Sequence, residues 1–290
     1  MSTENLDQLE QWYKRREYAR VIFHAGQLLQ NPAYKSSWGH ILHWKARAHI
    51  GMGSPWFGEA ISCLREGMAA AGKDRPLKAR IMGTLAFIYS RLGDCSPYPK
   101  LMNAFAAISR DRNPEVLRWG CFLWFNYGVT LDNCFRLNEA KQAYTEALAL
   151  ARAFHIDHMV GTCLHNLGGD QLALGELAEA AITIAQAEAM FGDDGLPGAK
   201  KLSRRAEYAL AAGDLVSSQQ WVTSALIHPG ADDMTKADVY YTWAQTLLAL
   251  NRPADARERA LLALEHAFLA VHYPGIHKAN RLLQQLGNTL

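Results

Sequence analysis

Apolar and small residues recur along this chain at helical spacing, and the clearest stretch runs from Trp124 to Ala147. Trp124, Tyr127, Gly128 and Leu131 mark one face of a helix, and Ala140, Tyr144 and Ala147 mark one face of the next. The pattern returns at Leu164, Leu167, Gly168 and Gln171, then Ala180, Ile184 and Ala187. A small residue on the first helix lets the second approach closely, and the large residues beside it fill the space between neighbours. Turn positions recur in the same phase, at a nearly constant interval, at Gly53, Gly93, Phe135, Gly175, Gly213 and Asn251. Glycine and asparagine suit the left-handed residue that ends a helix. Weaker copies are read at Trp12, Tyr18, Val21, Ala25 and Leu28, at Leu202, Ala206, Ala209 and Ala225, and at Trp243, Leu247, Ala256, Ala260 and Ala263. The third copy is irregular at Cys95-Ser96-Pro97-Tyr98-Pro99, and its second helix is placed from about Pro99 onward.

These residues resemble the tetratricopeptide signature, Trp-x2-Leu-Gly-x2-Tyr followed by Ala-x3-Phe, with conservative exchanges. The interval between turns exceeds the ~34 residues of the minimal repeat, so helices or loops are longer by about a turn. The resemblance implies an all-α fold: a right-handed α-solenoid of about seven tetratricopeptide-like helix pairs with a C-terminal capping helix, about fifteen helices and no sheet. The pairs are expected at 5–31, 36–72, 76–110, 114–153, 158–191, 198–228 and 235–268, with the cap at 275–287, as one domain over 1–290. The loops at 192–198 and 228–230 fall between repeats, and no linker divides the chain.

In a solenoid of this kind the first helix of each pair lines a concave groove. The resemblance therefore places Arg47, Arg80, Phe122, Phe125, Asn126, Asn133, Asn166, Lys200 and Arg204 on the binding surface, together with the acidic Asp132, Glu207 and Asp238. Basic groups are expected to outnumber acidic ones there. Asn126 and Asn166 share a phase, and an amide both donates to and accepts from an extended backbone. Part of the surface resembles the carboxylate clamp of chaperone-binding tetratricopeptide domains. Asn166, Lys200 and Arg204 stand at matching places, whereas Phe125 and Val129 replace the Lys and Asn of the preceding repeat. A local carboxylate pocket is implied, not chaperone binding.

Composition narrows the function further. Thirty Lys and Arg face 28 Asp and Glu, a net +2 over 290 residues, which argues against direct nucleic-acid binding through bulk charge. No run of ~18 apolar residues reads as a membrane span, and residues 1–10 do not read as a signal peptide, so a cytoplasmic protein is expected. The five cysteines, Cys63, Cys95, Cys121, Cys134 and Cys163, are scattered and read as reduced thiols. His40 with His43, and His155 with His158, each sit three apart but lack a third metal ligand. No nucleophile elbow, phosphate loop or zinc-protease motif is present. The chain is therefore expected to have no catalytic residues, no metal and no cofactor.

The expected function is a scaffold, adaptor or receptor that binds a protein or peptide in its groove. An acidic side chain or a C-terminal carboxylate is the natural complement of Lys200 and Arg204. The long repeats also resemble those of bacterial peptide-pheromone receptors and of the sensor tails of large transcription activators. The alternative is thus a sensor that takes a signalling peptide or small molecule in an aromatic pocket near Phe122, Phe125 and Asn126. No membrane partner is expected, and homodimerisation is left open.

Overall fold

The recurring turn residues set the helix lengths. A computed structural model describes residues 4–110 and 112–287. Its helices are α1 (Glu4–Lys14), α2 (Tyr18–Gln30), α3 (Trp38–Gly51), α4 (Phe57–Ala70), α5 (Arg75–Leu92), α6 (Tyr98–Ser109), α7 (Pro114–Asn133), α8 (Leu137–Ala153), α9 (Asp157–Ala173), α10 (Leu177–Met190), α11 (Gly195–Ala211), α12 (Leu215–Ile227), α13 (Asp233–Ala249), α14 (Pro253–Leu269) and α15 (Tyr273–Gly287). Two short 3-10 turns, Pro32–Ser37 and Ser54–Trp56, precede α3 and α4. Among the described residues there are fifteen α-helices and no strand, as the repeat pattern predicts: seven pairs and a final unpaired helix.

Every predicted turn residue adopts positive φ: Gly53 (106°), Gly93 (67°), Phe135 (58°), Gly175 (77°), Gly213 (79°) and Asn251 (57°). The hydrogen bonding behind most of them is one motif. The amide after the left-handed residue reaches back five residues, from Asp94 to the Tyr89 carbonyl (3.0 Å), Arg136 to Leu131 (2.9 Å), Glu176 to Gln171 (2.9 Å), Asp214 to Ala209 (2.9 Å) and Arg252 to Leu247 (2.9 Å). This satisfies a carbonyl that the ending helix would otherwise leave bare. The same bond follows Arg16, His155 and Val271, three positive-φ positions that their side chains did not advertise.

Phe135 is the costly member of this set. A non-glycine residue in the left-handed region costs ~1–2 kcal/mol, and the Phe135 ring is 55% exposed, so little burial offsets it. Phe135→Gly is expected to raise stability by about 0.5–1 kcal/mol after allowing for glycine's entropy in the unfolded chain. A lowered urea midpoint in that variant would show that the ring holds the turn.

Within a pair, the small residue does the expected work. A Cβ at Gly128 would meet the Tyr144 ring at 2.7 Å, and one at Gly168 would meet Ile184 Cγ1 at 2.9 Å. Tyr144, Ala140 and Ala147 are fully buried. The irregular third pair is closed by Tyr98, at the start of α6. Its ring is fully buried and its hydroxyl lies 2.8 Å from the Ala86 carbonyl and 3.0 Å from that of Asn126.

The chain forms two compact units. One comprises Met1–Ser90 and Asp94–Tyr127, and the other Arg91–Gly93 and Gly128–Leu290. The first unit holds two apolar cores, around Leu9, Val21 and Ile41 and around Leu64, Ile81, Ile88 and Leu123. In the second, Leu282 and Leu286 of α15 pack on Ala244, Leu247, Ala256 and Ala260 of α13 and α14, so the last helix covers the final apolar face.

Candidate functional site

In the N-terminal unit the residues expected to line a groove are largely engaged with their neighbours. The Arg47 guanidinium stacks on Tyr13 (4.3 Å) and Trp44 (4.7 Å). Arg80 pairs with Glu115 (2.9 Å) and lies 5.7 Å from the Trp119 ring. His43 is buried 3.1 Å from the Thr84 hydroxyl. Burial, then Arg47, Arg80 and His40, lower its pKa to about 3, so the imidazole is neutral. Phe122 is half-buried against Trp119 (5.3 Å between rings), and Phe125 is half-buried as well. Asn126, expected to read a peptide backbone, is 7% exposed: its amide donates to the Phe122 carbonyl (2.8 Å) and accepts from the Ser90 hydroxyl (3.1 Å).

The C-terminal unit is different. Here α7, α9, α11, α13 and α15, the first helix of each pair and the cap, bring polar side chains together. Asp132 and Asn133 come from α7, and Asn166 and Asp170 from α9. Lys200, Arg204 and Glu207 come from α11, Asp238 and Tyr241 from α13, and Lys278 from α15. Most are half-buried, and their electrostatics interlock.

Asn166 donates to the Tyr144 hydroxyl at 3.3 Å, so its position is set by the ring that packs on Gly128. Arg204 ion-pairs with Glu207 one turn along α11. Its guanidinium lies on the backbone of α9, where a Cβ at Gly169 would fall 2.7 Å from Arg204 Cζ. Burial, then Arg204 and Lys200, depress the pKa of His165, which keeps it neutral between them.

Asp170 is 3% exposed, and its Oδ2 has no hydrogen-bond partner. Burial, with Asp132 beside it, pushes its carboxyl up to about 8 against the opposing pull of Arg204, Lys278 and Lys141. Burial likewise raises Glu207 and Asp238. Burial alone would lower the Lys278 ammonium, yet Asp132, Asp238, Glu207 and Tyr241 outweigh it and hold its pKa above the ordinary lysine value.

On the polar face of the C-terminal unit Asp132, Asp170, Glu207 and Asp238 act on Lys200, Arg204 and Lys278, so both signs of charge meet there. Arg47 and Arg80 belong to the N-terminal unit and Arg91 to the C-terminal one, where its guanidinium donates to the Ala270 carbonyl (2.8 Å). Two members escaped sequence reading. Asp170 sits two residues after the small Gly168, outside the groove phase applied to the other repeats. Lys278 lies on the cap, read only as a cover, although it stands one repeat period after Asp238.

Among the described residues no group of three or more His, Cys, Asp or Glu could hold a metal ion, and no helix is long and apolar enough to cross a membrane. Cys63, Cys121 and Cys163 are buried and in no disulfide.

The fold and this polar wall define a helical-repeat protein. No family model and no curated protein matches the sequence. The fold matches the crystal structure of BtubC (BKLC) from P. vanneervenii, with a TM-score of 0.57 at 19% identity over 75% of this chain and 89% of that one. It also matches the Rap protein complexed with Competence and Sporulation Factor, with a TM-score of 0.51 at 14% identity over 99% of each chain. At these identities the likeness is one of fold.

Proposed function

We propose that the chain is a tetratricopeptide-repeat receptor or adaptor of the cytoplasm whose activity is binding, and that it holds a peptide or partner segment against the polar wall of its C-terminal unit. The observation that carries this reading is the wall itself. Five helices from successive repeats present buried and half-buried charged and amide groups, close enough to shift one another's protonation. Side chains of this kind hold an extended main chain by paired donors and acceptors. The Rap protein, which shares the fold, is complexed with Competence and Sporulation Factor, so this architecture carries a bound factor in at least one case.

Asn133, Asn166, Lys200 and Arg204 are the proposed contacts, with Asp238 and Lys278 added. Asn126 is left out because its amide is engaged inside the N-terminal unit. The test is fluorescence anisotropy of labelled random hexapeptide pools with the full chain, wild type against Gly169→Ala and Lys200→Ala/Arg204→Ala. An alanine at 169 displaces the far end of Arg204, not the core. Losing a charge-assisted hydrogen bond should weaken binding about tenfold, while melting temperatures hold within a few degrees. Absence of pool binding, or equal binding by all three proteins, would overturn the reading.

A further inference from the structure

The cap helix does more than cover the last repeat. Its apolar side, Leu282 and Leu286, is committed to α13 and α14. Another side carries His277, Asn280, Arg281 and Gln284, spaced three, four and seven residues along the helix and so aligned on one face. That face looks into a cavity of about 430 Å³ whose remaining lining is Asn133, at the end of α7, and Phe135, in the turn after it. The volume lies in the range of small-ligand sites, ~300–1,000 Å³, and the cleft is open to solvent: of its lining only Asn133 is half-buried, and the other five side chains are exposed.

The chemistry of the lining is selective. It contains no carboxylate, and among the described residues Arg281 makes no ion pair. A guanidinium without an ion-pair partner in a concave site favours a carboxylate, which it can grip through two parallel bonds. Three carboxamides surround it, and each can donate to and accept from a main-chain amide. Phe135 adds an apolar contact, and it stands at a turn where the corresponding positions of neighbouring repeats hold Gly93, Gly175 and Gly213. Its ring is held at φ 58° and is 55% exposed, so the strained residue is not explained by burial.

We propose that this cavity is the subsite for a peptide carboxylate. Arg281 takes the carboxylate, Asn133, Asn280 and Gln284 take the adjoining main chain, and Phe135 takes an apolar side chain. The inference rests on the peptide-binding reading above and moves the carboxylate away from Lys200 and Arg204, where Glu207 already pairs with the guanidinium.

The experiment uses the full chain and three N-terminally labelled hexapeptide pools. The first is random, without Asp or Glu, and has a free C-terminus; the second is the same pool amidated; the third is amidated with one fixed Glu. Wild type should bind the free-acid pool at least tenfold more tightly than the amidated acid-free pool. Recovery of affinity in the third pool would show that a side-chain carboxylate also fills the subsite, and no recovery would restrict it to the C-terminus; either outcome supports the subsite. Arg281→Gln should erase the tenfold preference, and Phe135→Gly should weaken binding while the fold is kept or stabilised. Lys200→Ala/Arg204→Ala should lower all affinities but leave the preference. Equal binding of acid and amide by wild type, or a preference that survives Arg281→Gln, overturns the subsite alone. Failure of every pool to bind overturns the peptide-binding reading with it.

Discussion

Gly128→Leu should cost the C-terminal unit ~1–3 kcal/mol, at the upper end of that range, because the new side chain has nowhere to go. Even a Cβ at this position would stand 2.7 Å from the Tyr144 ring. The ring is fully buried and burial holds its hydroxyl well above the ordinary tyrosine pKa, so it can neither swing into solvent nor ionise to leave. Gly168→Leu should behave similarly but less severely, since it meets Ile184 Cγ1 at 2.9 Å and an aliphatic side chain yields more easily than a ring. Thermal melts check both, at ~2–4 °C per kcal/mol for a unit of this size. The Gly128 variant should also lose peptide affinity, because Tyr144 positions Asn166. Unchanged melting temperatures in both variants would mean that these glycines do not set the helix spacing.

Asp170→Asn should stabilise the protein, and increasingly so as pH rises. The folded state binds the Asp170 proton up to about pH 8, whereas the ordinary carboxyl releases it near 3.8. Between those values the unfolded state holds fewer protons than the folded one, so wild-type stability falls as pH rises and levels off above about 8. Asparagine keeps the shape and removes the titration. The variant's advantage should therefore be near zero at pH 4, grow through neutrality and reach a plateau near pH 8, with an upper bound of ~6 kcal/mol at ~1.4 kcal/mol for each pH unit between the two pKa values. His43 and His272, lowered to about 3 and about 4, act in the opposite sense. They cost stability as pH falls below ~6.5, but equally in both proteins, so the difference between the melts isolates Asp170. Parallel pH–Tm curves for the two proteins would rule out a buried, titrating Asp170. A carboxyl kept at such cost in the polar wall is the pattern expected where function and stability compete.

Much of the fold was readable before any coordinates. The six turn positions, the close approach at Gly128 and Gly168, and the buried Ala140, Tyr144 and Ala147 are local facts. Each depends on residues within one helix pair, and every repeat restates them. Backbone conformation at Gly175 or Gly213 follows from the missing side chain. The helix capping that follows from it needs nothing distant.

The wall was only half readable, for the opposite reason. Which helix face is inward follows from phase, so Asn166, Lys200, Arg204 and Asp238 could be named from sequence. What each inward side chain does depends on partners far along the chain. Asn126 is taken by Ser90, a residue of another helix pair. Arg204 lies on Gly169, and Lys278 is held by Asp132, Glu207 and Asp238 from three other helices. Electrostatic interaction falls with distance in space and ignores distance in sequence. Local sequence thus determined the helices, their turns and their stacking period. Tertiary packing alone decided which charges neutralise one another, which carboxyl keeps its proton, and that the capping helix turns Arg281 into a cavity beside Phe135.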